Sequence, residues 1–184
     1  NCRLIHISTD CVFSGKKGNY KESDFADADD LYGRTKYLGE VVYNNSVTLR
    51  TSIIGHELKH DVSLVDWFLA QNGNVNGYTK AIYTGLPTIE FAEIIDKYVI
   101  TNPDLKGIYH VSSNPISKYD LLQLVKKIYK KNITIIPYND FRIDRSLDSS
   151  RFKYATGYNT PSWDELILKM YSNYFENSSL YKNL

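Results

Sequence analysis

Arg3-Leu4-Ile5-His6-Ile7-Ser8-Thr9-Asp10-Cys11-Val12-Phe13-Ser14-Gly15 changes character halfway along. Its first half is short, apolar and β-branched, the pattern of a buried strand in a parallel sheet. Polar side chains arrive only as that strand finishes, in Ser8-Thr9-Asp10. Ligands of open α/β sheets bind beyond the carboxyl ends of the strands, so these hydroxyls and this carboxylate stand where chemistry is done. Residues 15–30, rich in Gly, Lys, Asp and Glu, read as a loop. Asp29 or Asp30 is placed to cap a helix from Leu31 to Asn44, whose apolar stripe is Leu38, Val41 and Val42. Val47-Thr48-Leu49-Arg50-Thr51-Ser52-Ile53-Ile54-Gly55 is the next strand. Strand, loop, helix, strand makes a βαβ unit, normally right-handed and parallel, which brings Thr9 and the start of the helix to one edge of the sheet.

Beyond Gly55 the apolar spacing predicts a helix over 62–71, followed by a turn at Asn72-Gly73-Asn74-Val75-Asn76-Gly77. Tyr78 to Gly85 reads as a strand or extended loop, and Pro87-Thr88 opens a helix through Val99. Gly107 to Val111 is a short strand. Ser117 and Asp120 precede an amphipathic helix in the manner of a capping box, and Ile133 to Ile136 is a strand ended by Pro137. Ser162 and Glu165 form a second capping box, and the residues from Asn177 to Leu184 are expected to fray. Trp67 and Trp163 read as core residues.

Composition narrows the function classes. The 184 residues suffice for one core, or one core and a small lobe. A net charge of +1 carries no footprint of a nucleic-acid binder. No apolar run approaches the roughly 18 residues of a membrane span, and no signal peptide opens the chain, so a cytoplasmic location is expected. Cys2 and Cys11 read as free thiols of a reducing compartment. The four histidines are scattered away from any ligand-spaced Cys or carboxylate, so no metal site is expected.

Tyr32-Gly33-Arg34-Thr35-Lys36 places a phenol and an ammonium at i and i+4, on one helix face. A phenol titrates near about 10; a neighbouring positive charge favours its ionised form and readies it for proton exchange with a substrate oxygen. Alone, the pair is a weak signal and reads more readily as a solvated helix face. Standing after Ser8-Thr9-Asp10 and before a strand ending near Gly55, it is far more specific.

That order and spacing resembles the extended short-chain dehydrogenase/reductase superfamily. Within it, Ser8 to Gly15 and Tyr32-Gly33-Arg34-Thr35-Lys36-Tyr37-Leu38-Gly39-Glu40 are similar to the dTDP-4-dehydrorhamnose reductase family. Leu49-Arg50-Thr51-Ser52, Gly85-Leu86-Pro87-Thr88, Gly107-Ile108-Tyr109-His110-Val111 and Arg145-Ser146-Leu147-Asp148 extend the match, from Arg3 to about Tyr171. The resemblance implies an NAD(P)H-dependent reductase of a 4-keto nucleotide sugar, in deoxysugar or surface-polysaccharide biosynthesis. Tyr32 would protonate the carbonyl oxygen at C4. Lys36 would hold the nicotinamide ribose and lower the tyrosine pKa, and Thr9 would hydrogen-bond the reacting oxygen. Ser8, Tyr32, Lys36, Thr51 and Ser52 are the implied cofactor contacts, to NADP or NAD. Asp10, Cys11, Val12, Phe13, Gly85, Thr88, Arg142 and Arg145 are the implied substrate contacts, with an arginine suited to the diphosphate. Asp10 has the alternative of a turn residue, and Cys11 reads as an inert small residue rather than a nucleophile. The implied partner is a nucleotide-diphosphate sugar, with neither nucleic acid nor membrane; the resemblance allows a homodimer.

Two departures stand against it. Cys11 occupies the position where that family usually has tyrosine. None of the ten glycines forms the Gly-rich turn that seats a dinucleotide pyrophosphate at a helix N-terminus. The expectation is therefore the C-terminal portion of such a protein, inactive by itself, with its dinucleotide-binding half absent. The expected fold is α/β, a partial Rossmann-like parallel sheet plus a small α/β lobe. Residues 1–56 carry the catalytic set, 57–176 form mainly the nucleotide-sugar lobe with segments returning to the sheet, and 177–184 are a tail. A nucleotide-sugar epimerase or dehydratase uses the same Thr, Tyr and Lys and is the enzymatic alternative; a non-catalytic regulatory relative is the other.

Overall fold

Three parallel strands carry the candidate site. The computed structural model describes residues 2–58 and 63–182. Strands β1 (Leu4–Thr9), β2 (Ser46–Thr51) and β6 (Gly107–His110) form one sheet in the order β1-β2-β6. Ser8 lies opposite Arg50, and Thr9 opposite Thr51. The central strand β2 is buried along its whole length, which is why a run containing Ser, Thr and Arg must find a partner for every polar group. Strands β3 (Ile53–Ile54) and β5 (Leu86–Pro87) make a short parallel pair. A third sheet has β4 (Asn74–Tyr83) between β7 (Ile116–Ser117) and β8 (Thr134–Asp144).

Helices α1 (Leu31–Leu38), α2 (Leu64–Ala70), α3 (Thr88–Ile94), α4 (Lys118–Ile128), α5 (Ser150–Thr156), α6 (Trp163–Glu176) and α7 (Ser178–Lys182) complete the α/β fold. A π-helical stretch, Ile95–Ile100, prolongs α3. One main core runs from Val47 and Leu49 through Phe68, Leu86, Ile94 and Leu121 to Leu166 and Met170. Each such fully buried aliphatic side chain contributes about 1.5–3 kcal/mol. A second cluster, Val12, Phe13, Tyr20 and Leu147, sits beneath the turn after β1. The caps read from the sequence are in place: Asp30 accepts from the Gly33 N–H, and Ser117 from that of Asp120. Ser162 and Glu165 close a full capping box. Among the described residues no helix is long and apolar enough to cross a membrane.

Several expected boundaries move. The helix over 31–44 stops at Leu38, and the proposed stripe is not a core face, because Leu38 and Val42 are exposed. Gly39 closes the helix and Glu40 turns inward to a buried ion pair with Arg50, while Thr48 Oγ1 bonds both the N–H and the C=O of Val41. These contacts outweigh continuation of the helix. Asn74 to Gly77 belong to β4 rather than to a turn, since pairing with Thr134 to Pro137 satisfies their backbone. Strand β8 continues past Pro137 to Asp144 because it is an edge strand, where a missing N–H is tolerated. The helix expected over 62–71 is Leu64–Ala70 with Ser63 as its cap, and Val62 lies outside the described residues. Trp163 is buried, but Trp67 is 38% exposed on α2. The tail is not frayed throughout: Ser178–Lys182 is helical, and Tyr181 packs on Tyr174 and edge-on to His56.

Candidate active site

Thr9, Tyr32 and Lys36 come together in one cleft of about 320 Å³ at the carboxyl end of β1 and β2, as the strand pattern predicts. Ser8, Asp10, Cys11, Thr51 and Ser52 line the same cleft, with Ile7 and Ile53. Thr9 ends β1 and begins a 3-10 turn over Asp10–Val12, where its Oγ1 accepts from the Cys11 N–H at 3.1 Å and donates to Asp10 Oδ1 at 3.2 Å. Asp10 is thus both turn residue and cleft wall. Burial, more than anything else, raises its carboxyl above the ordinary value. Burial and then the adjacent Asp10 carboxylate raise the Cys11 thiol, which disfavours the thiolate a nucleophile needs.

Helix α1 reaches the cleft because of Gly33, its only buried residue. A Cβ there would stand 2.2 Å from the Cys11 carbonyl oxygen and 2.5 Å from the Ala28 Cβ. The absent side chain lets the helix lie directly on the turn that follows Thr9. Gly33→Ala is expected to push α1 off that turn at a cost of roughly 1–3 kcal/mol, read as a lower midpoint in thermal or urea unfolding; an unchanged midpoint would deny the close approach its importance. Lys36 Nζ donates to the Ile7 carbonyl at 2.9 Å, anchoring the ammonium at the end of β1. Tyr32 is 56% exposed and so open to a ligand.

Behind the cleft lies a buried polar chain absent from the sequence expectations. Arg50 Nε and Nη2 each bond Glu40 at 2.7 Å, a bidentate pair with side chains 3% and 4% exposed. Ser8 Oγ donates to Glu40 Oε1 at 2.6 Å. Lys36 and Glu40 therefore tie both sides of the helix end to the last residues of β1. On the other side of Arg50, the fully buried His110 holds Tyr20 O with Nδ1 at 3.0 Å and faces Arg50 Nη1 with Nε2 at 3.4 Å. A neutral ring protonated on Nδ1 satisfies both contacts.

Burial, and after it the Arg50 guanidinium, lowers the His110 pKa to about 4. The unfolded ring titrates near about 6.5, so the unfolded chain takes up a proton that the folded one refuses. Stability from this group is full above that value and declines as pH falls from about 6.5 towards 4, by roughly 3 kcal/mol at most. Denaturation midpoints measured across this interval should fall for the wild type, and fall less for His110→Gln.

The remaining candidates divide. Arg145 is at the site: its guanidinium bonds the Phe13 carbonyl at 2.9 Å, approaches Cys11 Sγ at 3.4 Å and pairs with Asp30 at 3.6 Å. Arg142 is not; it is an exposed residue of β8 paired with Lys80. Val12 and Phe13 are fully buried in the second core cluster rather than facing a ligand, because the 3-10 turn rotates them inward. Gly85 lies behind the cleft, where a Cβ would overlap the Tyr83 hydroxyl, and Thr88 opens α3 against Gly55. The clues to Arg50 and Glu40 were present, since charged residues on a central strand and at the end of the helix packed beside it must find partners.

A family model described as the RmlD substrate binding domain matches residues 1–175. The dTDP-4-dehydrorhamnose reductase of Aggregatibacter actinomycetemcomitans is 31% identical over 131 residues, covering 65% of this chain and 45% of the relative. Methionine adenosyltransferase 2 subunit beta of Xenopus tropicalis is 29% identical over 131 residues, covering 64% and 39%. A crystal structure of dTDP-4-dehydrorhamnose reductase from Bacillus anthracis str. Ames, in complex with NADP, superposes with a TM-score of 0.80 at 20% identity. It covers 94% of this chain and 66% of that one. The chain thus spans less than half the length of these curated relatives. With a match over 175 of its 184 residues, the chain belongs to the RmlD substrate binding domain family.

Proposed function

We propose that the cleft belongs to a nucleotide-sugar reductase that acts on a 4-keto sugar of a deoxysugar or surface-polysaccharide pathway. The observation that carries this reading is the convergence of Thr9, Tyr32 and Lys36 on one cleft from a strand end and the following helix. A bound reduced nicotinamide, NADPH or NADH, supplies the hydride. Hydride arrival at C4 turns the carbonyl oxygen into an alkoxide, and donors placed where that charge develops lower the barrier. Tyr32 gives its phenolic proton to that oxygen. Thr9 turns its hydroxyl from Asp10 to the same atom. Lys36, held on the Ile7 carbonyl, supplies fixed positive charge beside the phenol and a donor to the nicotinamide ribose.

The residues present fit the nicotinamide end of such a cofactor, because Lys36, Tyr32, Thr51 and Ser52 all line the cleft. They do not include a glycine turn at a helix N-terminus for the pyrophosphate. That part of the site is therefore assigned to a dinucleotide-binding portion outside these residues, which suits β1 standing at the edge of its sheet. Arg145 is the diphosphate candidate, through the Nη atoms that reach Cys11 and Asp30 at the mouth. Its guanidinium offers a fork to phosphate oxygens.

The test is stoichiometry. Supplied with a dTDP-4-keto-6-deoxyhexose and reduced nicotinamide, the full-length protein should oxidise one cofactor per sugar consumed. An epimerase would turn over the sugar with no net oxidation. A non-catalytic regulatory relative of the same fold would turn over neither.

A further inference from the structure

Arg145 is held firmly at one end and loosely at the other. Its Nε donates to the Phe13 carbonyl at 2.9 Å, which fixes the side chain against the turn after β1. Its outer nitrogens meet weaker partners: Nη1 stands 3.4 Å from Cys11 Sγ, and Nη2 stands 3.6 Å from Asp30 Oδ2, beyond hydrogen-bond range. A guanidinium carries five N–H donors, so this outer edge is open to phosphate oxygens. The Asp30 carboxylate stands across it.

Asp30 has a second task that holds it there. Its other oxygen, Oδ1, accepts from the Gly33 N–H at 2.7 Å and caps α1. A cap needs an oxygen acceptor rather than a charge, and asparagine or serine serves as well as aspartate. The ion pair adds little to the fold, because its side chains are 24% and 45% exposed and lie 3.6 Å apart. Apart from a modest gain from the helix dipole, neither contact calls for a negative charge, yet that charge stands beside the cation assigned to a diphosphate.

We propose that Asp30 is a specificity-determining residue that filters ligands by the charge of the phosphate next to the sugar, favouring a nucleoside diphosphate sugar over the free nucleoside diphosphate. Tyr32, two residues after Asp30, lines the cleft, and so does Cys11, which Arg145 touches. The ion pair therefore stands at the mouth on the hexose side, and the first phosphate it meets is the one that carries the sugar. In a nucleotide sugar that phosphate is a diester with one negative charge. In a free nucleoside diphosphate it is a terminal monoester, with about 1.5 to 2 negative charges at neutral pH. Arg145 attracts both ligands; Asp30 repels the second more strongly.

The inference rests on the reading of the cleft as a nucleotide-sugar site with Arg145 at the diphosphate, and calorimetry with two probes separates them. dTDP and dTDP-glucose are titrated at neutral pH into the full-length wild type, Asp30→Asn, Asp30→Ser and Arg145→Gln, with thermal unfolding of each. Asp30→Asn should tighten dTDP about fourfold more than it tightens dTDP-glucose, with Tm within a few degrees of the wild type. Asp30→Ser, a second uncharged cap, should do the same. The difference from the wild type should shrink as salt is raised. Arg145→Gln should weaken both probes. If both Asp30 variants change the two affinities by equal factors, or favour dTDP-glucose, Asp30 is a cap alone and the inference is overturned. A difference that salt does not alter marks shape rather than charge, and overturns it too. If Arg145→Gln binds both probes as the wild type does, Arg145 does not hold the diphosphate; this inference falls while the roles of Thr9, Tyr32 and Lys36 stand. A wild type that binds neither probe overturns the nucleotide-sugar reading itself, and this inference with it.

Discussion

Arg50→Ala is expected to cost about 3–5 kcal/mol, enough to unfold much of the population of a marginally stable domain. The substitution leaves the Glu40 carboxylate buried, with Ser8 Oγ as its one remaining donor in the network. It also removes the group facing His110 Nε2. The loss should appear as a large fall in urea midpoint with little change in slope. Its mechanism is specific: the expense is that of an orphaned charge, so replacing both partners by apolar side chains of similar volume should be much milder than replacing either alone. If Arg50→Ala and the Arg50→Met, Glu40→Leu pair proved equally destabilising, the ion pair would not be the cause.

Tyr32→Phe carries the largest expected effect on chemistry. The ring stays on a helix held by Gly33, Asp30 and Lys36, and only the acid is removed. General acid catalysis contributes about 10²- to 10⁴-fold, so turnover of a 4-keto nucleotide sugar by the full-length protein should fall within that range. Affinity for the nucleotide sugar should hardly move, since the loss arises in the transition state and not in ground-state binding. Tyr32 is exposed, so no change in unfolding midpoint accompanies it. A variant with unaltered turnover would remove Tyr32 from the reaction.

The parts of this site that were legible in the sequence are those encoded over short distances. The apolar run from Leu4 to Ile7, the polar switch at Ser8-Thr9-Asp10 and the i, i+4 spacing of Tyr32 and Lys36 each depend on neighbours in the chain. The βαβ order then dictates that they meet. What escaped depends on partners far apart in sequence, or on a contest between local and tertiary terms. Val41 and Val42 continue a helical pattern, yet Glu40 is drawn inward to Arg50 and the helix ends. Pro137 reads as a strand end, yet an edge position removes its penalty. Val12 and Phe13 follow Thr9 closely in the chain, yet one 3-10 turn sends them into a core built with Tyr20 and Leu147. Arg142 and Arg145 stand three residues apart and are alike in type; only the end of β8 between them decides that one reaches Cys11 and the other faces solvent.

The central claim is that Tyr32, Thr9 and Lys36 surround a sugar carbonyl at the moment it receives hydride. The most direct measurement follows the isotope: the full-length protein is given a dTDP-4-keto-6-deoxyhexose and a nicotinamide cofactor carrying deuterium at its transferable position. The product should carry that deuterium at C4 of the hexose, one atom per cofactor oxidised, and Tyr32→Phe should reduce its rate of appearance by at least about a hundredfold. Cofactor oxidation without deuterium at C4, or incorporation at C4 at an undiminished rate in Tyr32→Phe, would contradict the account.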